Sequence, residues 1–204
     1  SRTSEHGHPS QADAPGGIYL TQVNGDLFVD SVASESDIQL SALTGSIGTA
    51  GSTNPADSSL LLGTQGNAES ESVPTIQADQ LQLRSLHHIG AGDINLEIGA
   101  SSLAASTVVG DINLAQSGNL SVDGAMRAGG AIRLTGDSHL TVSSPIHAAQ
   151  EVNLKSNGGS GSLHLLPNAH VASANRSVNL FADAAVFSEL GAHLESAEAL
   201  SITT

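Results

Sequence analysis

Nine histidines, twenty carboxylates and six cationic side chains are the groups in this 204-residue chain that could do chemistry, and their spacing decides which chemistry. His6 and His8 stand in a polar opening segment. His87 and His88 are adjacent, so a strand would send them to opposite faces. His139, His147, His164, His170 and His193 are scattered without the short intervals of a zinc ligand set, so no metal centre is expected. Asp37, Asp93, Asp111 and Glu151 each stand just before an apolar–x–apolar triplet. A carboxylate there accepts the N–H bonds of a turn, as Asp commonly does. Stacked carboxylates would also offer oxygens to Ca2+. The glycine-rich nonapeptide of calcium-binding rolls is missing, however, so Asp26 and Asp123 are read with the others as turn residues. Ca2+ is the one cofactor this pattern leaves open.

Two catalytic arrangements can be tested against the sequence. A polysaccharide lyase needs a base and a cluster of cations to neutralise uronate carboxylates. Arg84, Arg127, Arg133, Lys155 and Arg176 supply cations, and only Arg127 and Arg133 come near a common repeat. A glycoside hydrolase needs two carboxyl groups roughly 5–9.5 Å apart. Asp123 with Asp137 is the conceivable pair, with nothing in the spacing to single it out. Sugar-stacking aromatics amount to Tyr19, Phe28, Phe181 and Phe187. The expectation is therefore a protein that is not an enzyme.

Behind these groups lies a strict apolar pattern. Across Gly110–Ala149, Ile112 and Leu114 are answered twenty residues later by Ile132 and Leu134, Leu120 and Val122 by Leu140 and Val142, and Met126 by Ile146. Triplets start at 112, 120, 126, 132, 140, 146 and 152, which makes three short strands per period. Gly, Asp, Ser and Asn fill the gaps, as turns require. The same phrasing appears at Ile18–Leu20, Leu27–Val29, Ile38–Leu40, Leu81–Leu83 and Ile94–Leu96, and continues at wider steps through Leu163–Leu165, Val178–Leu180 and Leu200–Ile202. Apolar residues two apart exclude amphipathic helices, although Ala182–Ala185 and Ala192–Ala199 tempt a helical turn.

Strands this short cannot form an ordinary sheet. Coiled at a fixed period, they can lie on the strands of the previous turn, about 4.8 Å away, as a parallel β-helix of some nine turns. Inward positions are then fixed by stacking and outward ones are free to vary. The expected outward row of the first strand is Tyr19, Gln39, Asn95, Asn113, Arg133, Asn153 and Asn179. Recurrent Asn predicts a side-chain amide ladder from turn to turn. Asn95, Asn113, Arg133, Asn153 and Asn179 are also the outward row a ligand such as a glycan would meet. Residues 1–16 read as a linking segment and 17–204 as one solenoid domain. A loop excursion falls around 45–75 and a smaller insertion near 156–161.

Composition narrows the partners. A net charge of −14 disfavours nucleic acid and anionic membrane surfaces, since phosphate neutralisation needs Lys and Arg. There is no Cys, which removes disulfides and thiolate metal sites, and no apolar run long enough to span a bilayer. The core must be built from Ile, Leu, Val and Ala, because aromatic residues are only 2%.

Gly-Asp-Ile-x-Leu followed by Gly-x-Leu-x-Val, with Gly-Ser-Ile-Gly at Gly45–Gly48, resembles the repeats of filamentous-haemagglutinin-like adhesins, the giant repetitive exoproteins of bacteria. The resemblance implies a right-handed β-helix, exported to or displayed on a bacterial surface. The functional expectation is a structural or adhesive extracellular rod, a segment of such an adhesin. It would contact neighbouring solenoid turns end to end, and host glycans or matrix proteins along its sides. A subunit of a self-assembling fibre is the alternative, and a polysaccharide-active enzyme on the same scaffold the third.

Overall fold

The computed structural model describes residues 12–14, 16–49, 60–62, 75–90 and 95–204. Over these the chain is an all-β parallel solenoid of about 22 residues per turn without helix, coiled about 7 times. The Ala-rich stretches are strands too: Val178–Ala182, Ala185–Ser188 and His193–Ser196.

The three-strand turn is clearest after residue 110. One face stacks Ile112–Gln116, Ile132–Gly136, Val152–Ser156, Val178–Ala182 and Leu200–Thr203. A second stacks Leu120–Val122, Leu140–Val142, Ser162–Leu165 and Ala185–Ser188. The third stacks Met126–Ala128, Ile146–Ala148, His170–Ser173 and His193–Ser196. Every pairing is parallel and in the register the apolar triplets dictate: Ile112 on Ile132 on Val152 on Val178. These columns make one continuous core in which Ile112, Leu114, Ile132, Leu134, Val142, Ile146 and Leu165 are fully buried. An aliphatic side chain taken wholly from water contributes about 1.5–3 kcal/mol, so each turn holds the next chiefly through its inward residues.

The earlier turns have a different cross-section. Ile76–Ser85 and Leu96–Thr107 are long strands that run past a corner, Asp37–Ala42 pairs with the latter part of the first, and through the register Ala105 on Met126 they feed the third face. Leu27–Val29, Ile47–Thr49 and the bridging Ile89 lead instead to Ile112 on the first face.

Three expectations change. The turn count falls from nine to about 7 because the period averages about 22 rather than twenty. Register steps widen from Leu140 on Leu163 onward, and the step from Ile47 to its partner Ile89 is far longer than one period. The solenoid also begins before residue 17, since Ala12–Ala14 pairs with Val32–Ser34. Finally, the stretch 45–75 is not all excursion. Ile47–Thr49 is a regular strand, and Leu60–Leu62 lies beside Leu27–Val29 on the edge opposite Ile47–Thr49. The rest of that stretch, 50–59 and 63–74, lies outside the described residues. The insertion near 156–161 is seen directly, with Gly158 and Gly159 in the left-handed region where the chain bulges between faces.

Candidate functional site

The first face carries the expected polar row, shorter than the sequence reading made it. Asn113, Arg133, Asn153, Asn179 and Ser201 are successive register partners. Asn95 immediately precedes the strand whose Leu96 pairs with Leu114. Tyr19 and Gln39 do not belong to the row. Their register partners Gln82 and Ala104 lie in the latter parts of the long strands Ile76–Ser85 and Leu96–Thr107, a separate column that leads to the third face.

Within the row the polar groups bond to one another across turns. Asn179 Nδ2 donates to Asn153 Oδ1 at 2.8 Å and to Glu151 Oε1 at 2.8 Å. Arg133 donates to Asn113 Oδ1 at 3.3 Å, and its other terminal nitrogen stands 3.9 Å from Glu151 Oε2. Glu151 thus links a cation on the turn before with an amide on the turn after. Asn113, expected to face water, is only 1% exposed. The row is mainly inter-turn bonding, of the kind a ladder of amides makes.

The acidic turn residues act across turns as well. Asp26 Oδ1 accepts from Ser46 N at 2.7 Å, Asp111 Oδ1 from Ala131 N at 2.7 Å and Asp137 Oδ1 from Gly118 N at 2.6 Å. Asp123 Oδ1 accepts from the Ser102 hydroxyl. Asp123 and Asp137 follow strands of different faces, so they sit at separate corners and do not form a facing pair. Arg127 and Arg133 are likewise parted, Arg127 on the third face and Arg133 on the first. Asp93 lies outside the described residues. Lys155 is placed over the Phe181 ring, 5.1 Å from its centroid.

A grouping that the sequence reading missed lies on the third face. His147, His170 and His193 come from three successive turns, with ring centroids 4.7 Å apart in both adjacent pairs. His170 and His193 are register partners, whereas His147 pairs with Ala172 and meets the His170 ring two residues off register, and a fixed period of twenty conceals both. Glu195 joins them, its Oε2 3.5 Å from His170 Nε2. Burial, then the neighbouring His170 ring and the Arg127 guanidinium, lower the His147 pKa from its ordinary value, while Glu195 works the other way. A shallow groove beside this grouping is lined by Arg127, His147, Ala172, Ser173 and Glu195, among others.

Compared with protein-family models, with curated proteins and with solved structures, the chain matches none of them. What geometry and comparison together establish is a parallel β-solenoid of about 7 turns, with no family identified.

Proposed function

We propose that this chain is a non-catalytic, extracellular rod, a segment of a repetitive bacterial surface adhesin that extends from the cell and adheres through its sides. The observation that carries the reading is where the polar side chains point their bonds. The Arg133, Glu151, Asn153 and Asn179 groups are engaged with one another from turn to turn, which suits a scaffold better than a reaction centre. The Gly-Asp-Ile-x-Leu phrasing adds the resemblance to haemagglutinin-like exoproteins, and with it the expectation of display on a bacterial surface.

The test is a binding screen of the purified chain against glycan and extracellular-matrix arrays, with polysaccharide digestion assayed in parallel. The expected result is retention on a glycan or matrix protein with no release of reducing ends. Reducing ends released above background would replace this reading with the enzymatic one.

A second reading, a subunit of a self-assembling fibre, is favoured by one specific feature. Phe187, Leu190, Leu200 and Ile202 are exposed apolar residues in or beside the last strands, and Leu200–Thr203 pairs on one edge only among the described residues. Unpaired strand edges with apolar side chains invite another strand, whether from a second copy of this chain or from further turns of the same solenoid. Electron microscopy over a concentration series separates the two: isolated rods of about 34 Å, seven turns at the usual strand spacing, or long head-to-tail filaments.

A further inference from the structure

We propose that the third face binds a divalent transition-metal ion of the Zn2+ class, held by His170, His193 and Glu195. These residues each offer one ligand atom, and those atoms all lie within 4.8 Å of one another. The fold makes the set in two ways. His193 and Glu195 are two apart on the strand His193–Ser196, so their side chains leave the same side of the sheet. His170 is the register partner of His193 on the preceding turn, which puts the two imidazoles one strand spacing apart.

The spacing suits coordination. Ligands bound at about 2.0–2.2 Å to a tetrahedral ion stand roughly 3.4 Å from each other. His170 Nε2 and Glu195 Oε2 already stand at 3.5 Å. His170 Nε2 is enclosed and makes no hydrogen bond. With only the 3.5 Å approach of the Glu195 carboxylate to offset its enclosure, that nitrogen gains from a metal ion seated between the two. His147, edge-on to His170 with centroids 4.7 Å apart, holds that ring from the other side.

Clearance is provided by a small residue. The row outward from the third face reads Arg127, His147, Ala172, Glu195, and Ala172 leaves the space over which Glu195 turns toward the histidines. Arg127 is three turns from Glu195, about 14 Å at the usual strand spacing, too far to take the carboxylate for itself. Two imidazoles and one carboxylate match Zn2+, Cu2+ or Ni2+ and not Ca2+, which takes oxygen ligands. Three protein donors leave a fourth position for water.

The experiment is calorimetric titration of ZnCl2 into the full chain, repeated on His193→Ala, Glu195→Gln and His87→Ala. The same titration is run on a His6→Ala/His8→Ala double variant, because those two histidines could bind metal by themselves. His193 and Glu195 are exposed, so their substitution leaves the coil intact, which circular dichroism checks. The expected result is one equivalent of Zn2+ bound by the parent, by His87→Ala and by the double variant. Affinity should fall at least tenfold in His193→Ala and in Glu195→Gln. Co2+ soaked into the parent should give the visible absorption of a tetrahedral nitrogen–oxygen site, and excess Ca2+ should not displace it. Absence of binding, binding unchanged by His193→Ala and Glu195→Gln, or binding lost with His6 and His8 would each overturn the proposal.

Discussion

Gln116 does for Ala100 what a neighbouring strand would otherwise do. Its buried amide accepts from Ala100 N at 3.2 Å and donates to Ala100 O at 3.0 Å, where the long strand Leu96–Thr107 leaves the first face and loses its ladder partner. Replacing it with an apolar side chain of similar size orphans two buried backbone groups, each worth about 1–3 kcal/mol. Gln116→Leu should therefore cost roughly 2–6 kcal/mol in urea unfolding. Glycines show a comparable contrast. A Cβ at Gly130 would come within 2.0 Å of Asp111 Oδ1, the atom that accepts from Ala131 N, whereas at Gly118 it would meet nothing within 4 Å. Gly118 has φ +82°, so Gly118→Ala should cost about 1–2 kcal/mol of backbone strain alone. Gly130→Ala should cost more, because it also displaces a turn carboxylate, and thermal melts of the pair would show the difference. Neither role was legible in the sequence. Gln116 has the same polar look as any outward residue, and only the register tells that its alternation has turned inward.

At the level of strands and corners, one column explains why the coil turns where it does. Ala42, Ser85 and Thr107 are successive partners, and Ala128, Ala148, Ser173 and Ser196 continue the column at the end of the third face. Only small side chains fit on the inside of that bend. Where the residue carries a hydroxyl, the hydroxyl ties down a carbonyl of the bend, in three of four cases as a second bond beside a backbone N–H from another turn. Ser85, Thr107 and Ser196 donate to the carbonyls of His88, Gly110 and Ala199, three residues on, and Ser173 donates to Gln150 O. The apolar triplets were legible because strand alternation has a period of two that needs no knowledge of neighbours. The polar rows were legible only where the turn length stays constant. From Asn113 to Asn153 the steps are twenty and the row was found. Tyr19 and Gln39 were wrongly joined to it because the long strands before residue 110 pass a corner that the short ones do not. The three histidines went unseen because their steps of 23 do not match that period. Position along the stack also sets the worth of a core residue. Leu134 is fully buried between Leu114 and Leu154, so Leu134→Ala should cost about 2–5 kcal/mol. Leu200, half-exposed on the last turn, should lose under about 1 kcal/mol in the same substitution, for it buries far less area. Chemical denaturation of both variants checks the gradient.

The coil as a whole is one core, with the aliphatic column unbroken from Leu27 to Ala182. Stability in such an array comes from each turn's contact with its neighbours. The architecture was therefore open to inference from inward residues alone, while the number of turns was not, because loops outside the core lengthen the chain without adding to the stack. One of those departures bears on how the molecule is made. Leu60–Leu62 lies against Leu27–Val29, on the side where a preceding coil would lie, although it comes later in the chain than the strand on the other side. A coil wound strictly in order of synthesis could bury each layer as it left the ribosome. Here an early layer stays unfinished on one flank until a much later piece of polypeptide has emerged and doubled back. The nascent chain consequently carries an unsealed flank for longer than its neat periodicity implies, and winding cannot proceed purely from the first residue to the last.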